Sequence, residues 1–390
     1  MTKIIVIGAS AASISFITKV RTFDKESEII CFSGESYQPY NRCFLADVLS
    51  KEKSIQDIQL KPMSFYEENN VDLRLDHWVE SVDYELKTVQ VQGKKYAYDY
   101  LFLGVGSHAI CPPFYNEKIN GLFSFHTLED VEKIDRFVEA HPVQRVIVVG
   151  AGLNGLECSF ALFKREFSVS IVDCADRLLS HQVDAGVSEY VESLMPQTID
   201  FKGNCFVQEV MQVDGKVSGV RCCNGEVLSA DVVICATGAR VQNSLVKNSS
   251  LLLHEGSLVV NSALKTSNSS VFAAGDIVFM DTIVGGGKSK SMTWSDAMLQ
   301  GLCAATQFSA EPRQYGGLIG MRDSEFFYKK FYACGETVHV SDYEMREHQG
   351  PDSYHRLYLE DGFVRGFVII GAVDQMAFFR QLYLTQKKYS

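Results

Sequence analysis

Twice in this chain a short β-branched run breaks into a turn of small residues and resumes as an apolar helical stretch. That recurrence restricts the fold more than any other feature of the sequence. The plainer copy is a strand from Arg145 to Val149, the turn Gly150-Ala151-Gly152-Leu153-Asn154-Gly155, a helix from Leu156 to Phe167, and a second strand from Val169 to Asp173. Parallel strands need a crossover, and a helix of this length supplies one. Gly150 permits the tight turn, Gly152 lets the backbone approach a diphosphate, and Gly155 lets the helix pack on the strand. The free N–H groups of the helix start, from Leu153 and Asn154 onward, then face the phosphates. Asp173 ends the following strand, about 20 residues beyond the turn, where a carboxylate accepts the ribose 2′-hydroxyl of a dinucleotide. Such a carboxylate repels a 2′-phosphate, so NADH is expected over NADPH, with Arg177 close behind tempering that preference.

The other copy opens the chain. Lys3 to Ile7 is a strand, Gly8-Ala9-Ser10-Ala11-Ala12-Ser13 the turn, Ile14 to Val20 the helix and Glu28 to Phe32 the next strand. Ser10 and Ser13 stand where the fingerprint has glycine, and Ser33 occupies the strand end, which leaves Glu35 as the candidate ribose ligand. Further strands, Tyr100 to Leu103, Val232 to Cys235 and Ser270 to Phe272, run into Gly104-Val105-Gly106-Ser107, Ala236-Thr237-Gly238 and Ala273-Ala274-Gly275-Asp276. Strands that end in small residues bring backbone close to a ligand. From about Gln314 the chain turns rich in Phe and Tyr, with alternating segments such as Arg356 to Leu359 and Val364 to Ile370, the pattern of a small α+β domain.

Composition narrows the function classes. A net charge of −11 over 390 residues repels nucleic-acid phosphate and anionic lipid, so neither is an expected partner. No apolar run reaches the roughly 18 residues that cross a bilayer, and the opening Met-Thr-Lys-Ile-Ile-Val enters a strand at once, leaving no room for a signal peptide. The 11 cysteines show no C-x-x-C pair and no metal spacing, and the nine histidines are dispersed. The expectation is a cytoplasmic protein with no metal and no disulfide framework. Adjacent Cys222 and Cys223 point to opposite faces of a strand and cannot share one ligand.

The order of these motifs, including Tyr98-Asp99-Tyr100-Leu101 before Gly104 and Glu157 after the central turn, resembles the two-dinucleotide-domain flavoproteins of the FAD-dependent pyridine nucleotide-disulfide oxidoreductase superfamily. Pro39-Tyr40-Asn41-Arg42 followed by Leu45 looks like the NADH:rubredoxin reductases and the flavin portion of nitrite reductases. The resemblance covers residue 1 to about 310. It implies an α/β fold with two nested Rossmann-like domains: FAD-binding over 1–112 and 236–312, NAD(H)-binding over 113–235, and a small C-terminal α+β domain over 313–390. It also implies that Gly8, Ser10, Ala11, Ala12, Glu35, Arg42, Gly106, Gly275, Asp276, Thr293 and Trp294 hold FAD. Gly150, Gly152, Asn154, Gly155, Asp173 and Gly238 then hold NADH, and Glu157 neighbours the nicotinamide. Gly104-Val105 departs from the family's usual Ala-Thr.

Cys43 divides the functional readings. A C-x-x-x-x-C pair is absent, as is a C-terminal His-Pro dyad, so a disulfide-pair mechanism is excluded. One reading is an NADH-dependent reductase that passes electrons through flavin to rubredoxin, another redox carrier or a small oxidant, with Cys43 as a packing residue. A second makes Cys43 a low-pKa redox thiolate, as in the related NADH oxidases, peroxidases and coenzyme A disulfide reductases. A third is a non-catalytic, nucleotide-sensing flavoprotein. The aromatic tail offers a face for a homodimer.

Overall fold

In the computed structural model of the chain, residues 1–290, 292–372 and 374–389 are described. The principal elements run in chain order β1 (Lys3–Ile7), α1 (Ala11–Val20), β2 (Glu28–Phe32), α2 (Leu45–Leu49), β3 (Val71–Arg74), β4 (Tyr100–Leu103), β5 (Leu122–Ser124), α3 (Leu128–Ala140), β6 (Arg145–Val149), α4 (Leu153–Lys164), β7 (Ser168–Val172), α5 (Ala185–Ser193), β8 (Ile199–Lys202), β9 (Val232–Cys235), β10 (Val271–Ala273), α6 (Trp294–Thr306), β11 (Arg322–Phe326), β12 (Lys329–Gly335), β13 (Glu344–Gln349), β14 (Ser353–Glu360), β15 (Phe363–Gly371) and α7 (Met376–Thr385). They form two units. The first holds Met1–Asn41, Ile58–His108 and Val241–Met321; the second holds Arg42–Asp57, Ala109–Arg240 and Arg322–Ser390.

The first unit is built on a sheet of order β10-β4-β1-β2-β3, parallel throughout. Ile4 to Ile7 are all buried, as expected of a central parallel strand covered on both faces. The second unit repeats the layout as β8-β7-β6-β9-β5, with β6 in the place of β1. In both sheets the central strand runs into the glycine turn, and the neighbouring strands end beside it. Ligands of such sheets bind at strand C-terminal ends. Each unit also carries a three-stranded antiparallel ribbon, Val79–Asp83, Thr88–Val91 and Lys94–Ala97 in the first, Val207–Val213, Lys216–Cys222 and Val227–Ser229 in the second.

The C-terminal part of the second unit is an antiparallel sheet, β11-β12-β15-β14-β13, with α7 against β15 and β12. The alternating segments read from the sequence lie inside β14 and β15. Phe160 of α4 meets Phe327 and Tyr328, in the turn between β11 and β12, edge to face at 5.8 and 4.7 Å. Asp184, the N-cap of α5, accepts hydrogen bonds from Arg356 and Tyr358 of β14.

One expectation is overturned. The structure joins Cys205 and Cys222, both buried, as a disulfide with Cα atoms 5.6 Å apart. The hairpin register that pairs Val207 with Cys222 makes this neighbourhood, which no local cysteine spacing announces. Cys223 next door is exposed.

Candidate functional site

In the first unit the ends of β2, β1, β4 and β10 lie side by side and present the residues singled out above. Gly8 has φ +90°, and a Cβ there would fall 2.2 Å from the Gly104 carbonyl oxygen. Ser10 is the N-cap of α1 in extended conformation, makes no side-chain cap, and no acidic residue stands in the first turn. The N–H groups of Ala11 and Ala12 thus lack a side-chain acceptor at the helix start, the arrangement that receives phosphate. The serine at the third glycine position is matched by the departure at Gly104: a Cβ on Gly104 would lie 2.1 Å from Ser13 Oγ. The hydroxymethyl group fills the room the missing methyl leaves, and its oxygen is buried without a hydrogen-bond partner.

Beyond β2, Glu35 accepts a hydrogen bond from Tyr40 at 2.7 Å. Beyond β4, Gly106 has φ +64° with open space around it, and Ser107 donates to Asp276 at 2.6 Å. Beyond β10, Gly275 has φ +81° and its N–H donates to Gln300 of α6 at 2.7 Å. Thr293 caps α6 by accepting from the Asp296 N–H, and Asp296, fully buried, accepts from Tyr315, Ile319 and Gly320. Trp294 opens α6 and packs partly against the core of this unit. Bare glycine backbone, a helix start free of side-chain capping and carboxylates, and an Asp at the neighbouring strand end fit FAD.

The second unit repeats the cradle. Gly150 has φ +115°, and a Cβ there would meet the Ala236 carbonyl at 2.4 Å. A Cβ on Gly155 would lie 1.9 Å from the Gly150 carbonyl, so this glycine sets how closely α4 approaches the turn. Gly152, the N-cap of α4, has nothing nearer its Cβ position than Gln182 Nε2 at 3.8 Å. Asn154 is exposed on the first turn of α4, and Gly238 has φ +99° just past β9. Asp173 accepts from the Ala151 and Ala175 N–H groups at 2.6 and 2.8 Å, which fixes its carboxylate beside the turn. Arg177 donates to the carbonyls of Val183 and Ser180 at 2.8 and 3.2 Å. Its guanidinium is thus engaged with backbone carbonyls. Arg42 belongs to this unit, where it donates to the His126 carbonyl at 3.1 Å.

Glu157, one turn into α4, forms the centre of a cluster of acids. Ser324 of β11 donates to its carboxyl at 2.5 Å. Part of its surface reaches solvent, yet protein surrounds it densely enough that desolvation pushes its pKa up to about 7. The Ser324 hydroxyl and the Glu325 N–H pull it down, while Asp47 and Asp323 push it further up. Desolvation also raises Asp47 and Asp323. Among the described residues none of the three acids is in an ion pair. Cys43 is exposed at its surface but lies against this cluster, and desolvation, then Asp323 and Glu157, push its thiol up to about 12.

Sequence reading missed Asp47, Asp323 and Ser324, because only the fold brings β11 to α4 across 167 residues. It also missed Trp78. That side chain is 58% exposed and lies against Gly34, where a Cβ would fall 2.4 Å from the indole ring. A glycine immediately before Glu35 is the one faint signal. Among the described residues no group of three or more His, Cys, Asp or Glu is placed to hold a metal, and no helix is long and apolar enough to cross a membrane.

Comparison with known proteins agrees with this architecture. The chain is 29% identical over 308 residues to an NADH oxidase of Methanocaldococcus jannaschii, covering 77% of this chain and 68% of that one. It is 28% identical over 329 residues to a rubredoxin-NAD(+) reductase of Pseudomonas putida, covering 82% and 84%. Among solved structures, an NAD-dependent persulfide reductase from A. fulgidus superposes with TM-score 0.92 at 22% identity, over 99% of this chain and 77% of that one. Residues 2–301 match the pyridine nucleotide-disulphide oxidoreductase family. The chain belongs to that family and is an FAD-containing, NAD(P)H-dependent oxidoreductase.

Proposed function

We propose that this chain oxidises NADH and hands the electrons through FAD to a separate acceptor, a rubredoxin-like redox protein or another carrier, without using a cysteine. The observation that favours this reading over a thiol relay is the surroundings of Cys43. A redox cysteine needs its thiolate, and thiolates are favoured by cations or helix N-termini. Around Cys43, burial first, then the charges of Asp323 and Glu157, push the thiol up to about 12, away from the thiolate. The rubredoxin reductase among its relatives supports the choice of acceptor.

In this reading the first unit holds FAD and the second NADH. Gly8, Ser10, Ala11 and Ala12 bring backbone N–H groups to the FAD diphosphate, Glu35 takes the adenosine ribose, and Asp276, held by Ser107, takes the ribityl chain. Gly106 and Gly275 keep the approach clear. Thr293 and Trp294, at the start of α6, place positive helix-dipole potential by the pyrimidine edge. When bound, flavin supplies the chemistry, accepting a hydride at N5 and returning electrons singly or in pairs. Gly150, Gly152, Asn154 and Gly155 receive the NADH diphosphate, Asp173 its ribose, and Gly238 keeps the strand end open. Glu157 lies by the nicotinamide.

Substituting Cys43→Ser tests the reading. Flavin reduction by NADH and turnover with a one-electron acceptor are expected to stay within about twofold of wild type. Loss of turnover with flavin reduction intact would instead establish the thiol relay.

A further inference from the structure

Between β7 and α5 the chain folds back against the second glycine turn. The Leu179 N–H donates to the Ala151 carbonyl at 2.9 Å, and the N–H groups of Gln182 and Val183 donate to the Leu179 carbonyl at 2.8 and 3.0 Å. Leu179 is buried at φ +53°, a left-handed conformation that leucine holds only where its surroundings impose it. Arg177 closes the loop through its bonds to the Ser180 and Val183 carbonyls. On the other side the Gln182 carbonyl accepts from Thr337 Oγ1 at 2.6 Å and from Arg322 at 3.3 Å. Arg322 opens β11, and Thr337, which is buried, follows β12.

This bracing leaves one polar side chain unused. The Gln182 amide is half-buried, and among the described residues it makes no hydrogen bond, although the backbone that carries it is bound at both N–H and carbonyl. Its Nε2 is the nearest atom to the place a Cβ on Gly152 would occupy, at 3.8 Å. Gly152 is the N-cap of α4, which has no side-chain cap and no acidic residue in its first turn. An amide nitrogen only donates, as do the free N–H groups of a helix start, so an anionic oxygen suits the space they share.

We propose that the Gln182 side chain donates a hydrogen bond to the diphosphate of NADH, and that Thr337 is the positioning residue that holds it there from the C-terminal sheet. This rests on the reading that the second glycine turn receives that diphosphate. The donor is fixed before the ligand arrives, so little ordering entropy opposes the bond.

The test is calorimetric titration of the FAD-loaded protein with NAD+ and with ADP-ribose, which keeps the diphosphate and lacks the nicotinamide. Gln182→Ala is expected to weaken both ligands about tenfold, as for a lost hydrogen bond to a charged acceptor. Gln182→Glu has the same shape and is expected to weaken both further, because its carboxylate repels phosphate. Thr337→Val is expected to weaken both about threefold, and Thr337→Ser to restore them. Added to Gln182→Ala, Thr337→Val should cost nothing more, whereas a merely structural contact would act independently of Gln182. ADP-ribose affinity unchanged from wild type in both Gln182 variants overturns the proposal and leaves the diphosphate site standing. Gly152→Asp tests the underlying reading. Its Cβ position is clear and its φ of −80° and ψ of −177° suit aspartate at an N-cap, so the chain keeps its fold while a carboxylate occupies the helix start. Binding of both ligands should then be lost; undiminished binding overturns that reading, and the role of Gln182 with it.

Discussion

Ser13 and Gly104 show how two departures from a family pattern cancel at the residue scale. Each alone argues against a tight dinucleotide turn; together they exchange a methyl on one side of a contact for a hydroxymethyl on the other. Gly104→Ala is therefore expected to destabilise the chain by about 1–3 kcal/mol through overpacking, and adding Ser13→Gly to recover most of that loss. A double-mutant cycle by denaturant unfolding checks it, and additive losses would contradict the coupling. Glu157 carries a second residue-scale expectation. Its folded pKa is raised, so its contribution to stability is full below the unfolded carboxyl value and is lost as pH rises through about 7. Glu157→Gln should remove that loss, leaving the variant more stable than wild type at pH 8 by on the order of 1–2 kcal/mol after allowance for solvent. Thermal unfolding at pH 5.5 and pH 8 measures it; a variant destabilised equally at both would contradict the shift.

At the scale of elements, α1 and α6 pack so closely that a Cβ on Gly301 would strike the Ala12 carbonyl at 2.1 Å. In the proposed reading Ala12 belongs to the turn that receives the FAD diphosphate, so Gly301→Ala should both destabilise the first unit and loosen the cofactor. The expected outcome is a fall in FAD retained after gel filtration, together with about 1–3 kcal/mol lost; full FAD occupancy would count against this role. The strands and helices around both glycine turns were legible in the sequence because small residues between β-branched and helical runs are a local signal. Lys3 to Ile7, Glu28 to Phe32 and Arg145 to Val149 have the bounds that pattern gives. The α2 segment behaves otherwise. Its place in the second unit rests on non-local contacts, the ion pair of Lys51 with Asp135, that of Lys164 with Glu52, and Arg165 donating to the Leu49 carbonyl, none of which has a sequence period. The turn of β11 into β12 was equally silent: Phe327 and Tyr328 sit at φ +51° and +62°, where asparagine and glycine are usual, held there by Phe160.

For the whole molecule, two parallel sheets of one design each run into a glycine turn, and in the proposed reading one takes FAD and the other NADH. The proposed ligands around the glycine turns stand out in the sequence because backbone approach demands glycine and ribose recognition demands a carboxylate. The acids that surround Glu157 do not, since desolvation is a property of the folded chain. The carbonyl-bound Arg177 and the turn-bound Asp173 also lead to an expected preference for NADH over NADPH of at least tenfold in kcat/KM, which steady-state kinetics with both nucleotides will show. The most direct measurement is anaerobic stopped-flow mixing of the purified yellow protein with NADH, followed by a one-electron acceptor. The expected result is rapid bleaching of the visible flavin absorbance and its full return on adding the acceptor, in wild type and in Cys43→Ser alike. A protein whose flavin spectrum NADH leaves unchanged would contradict the account.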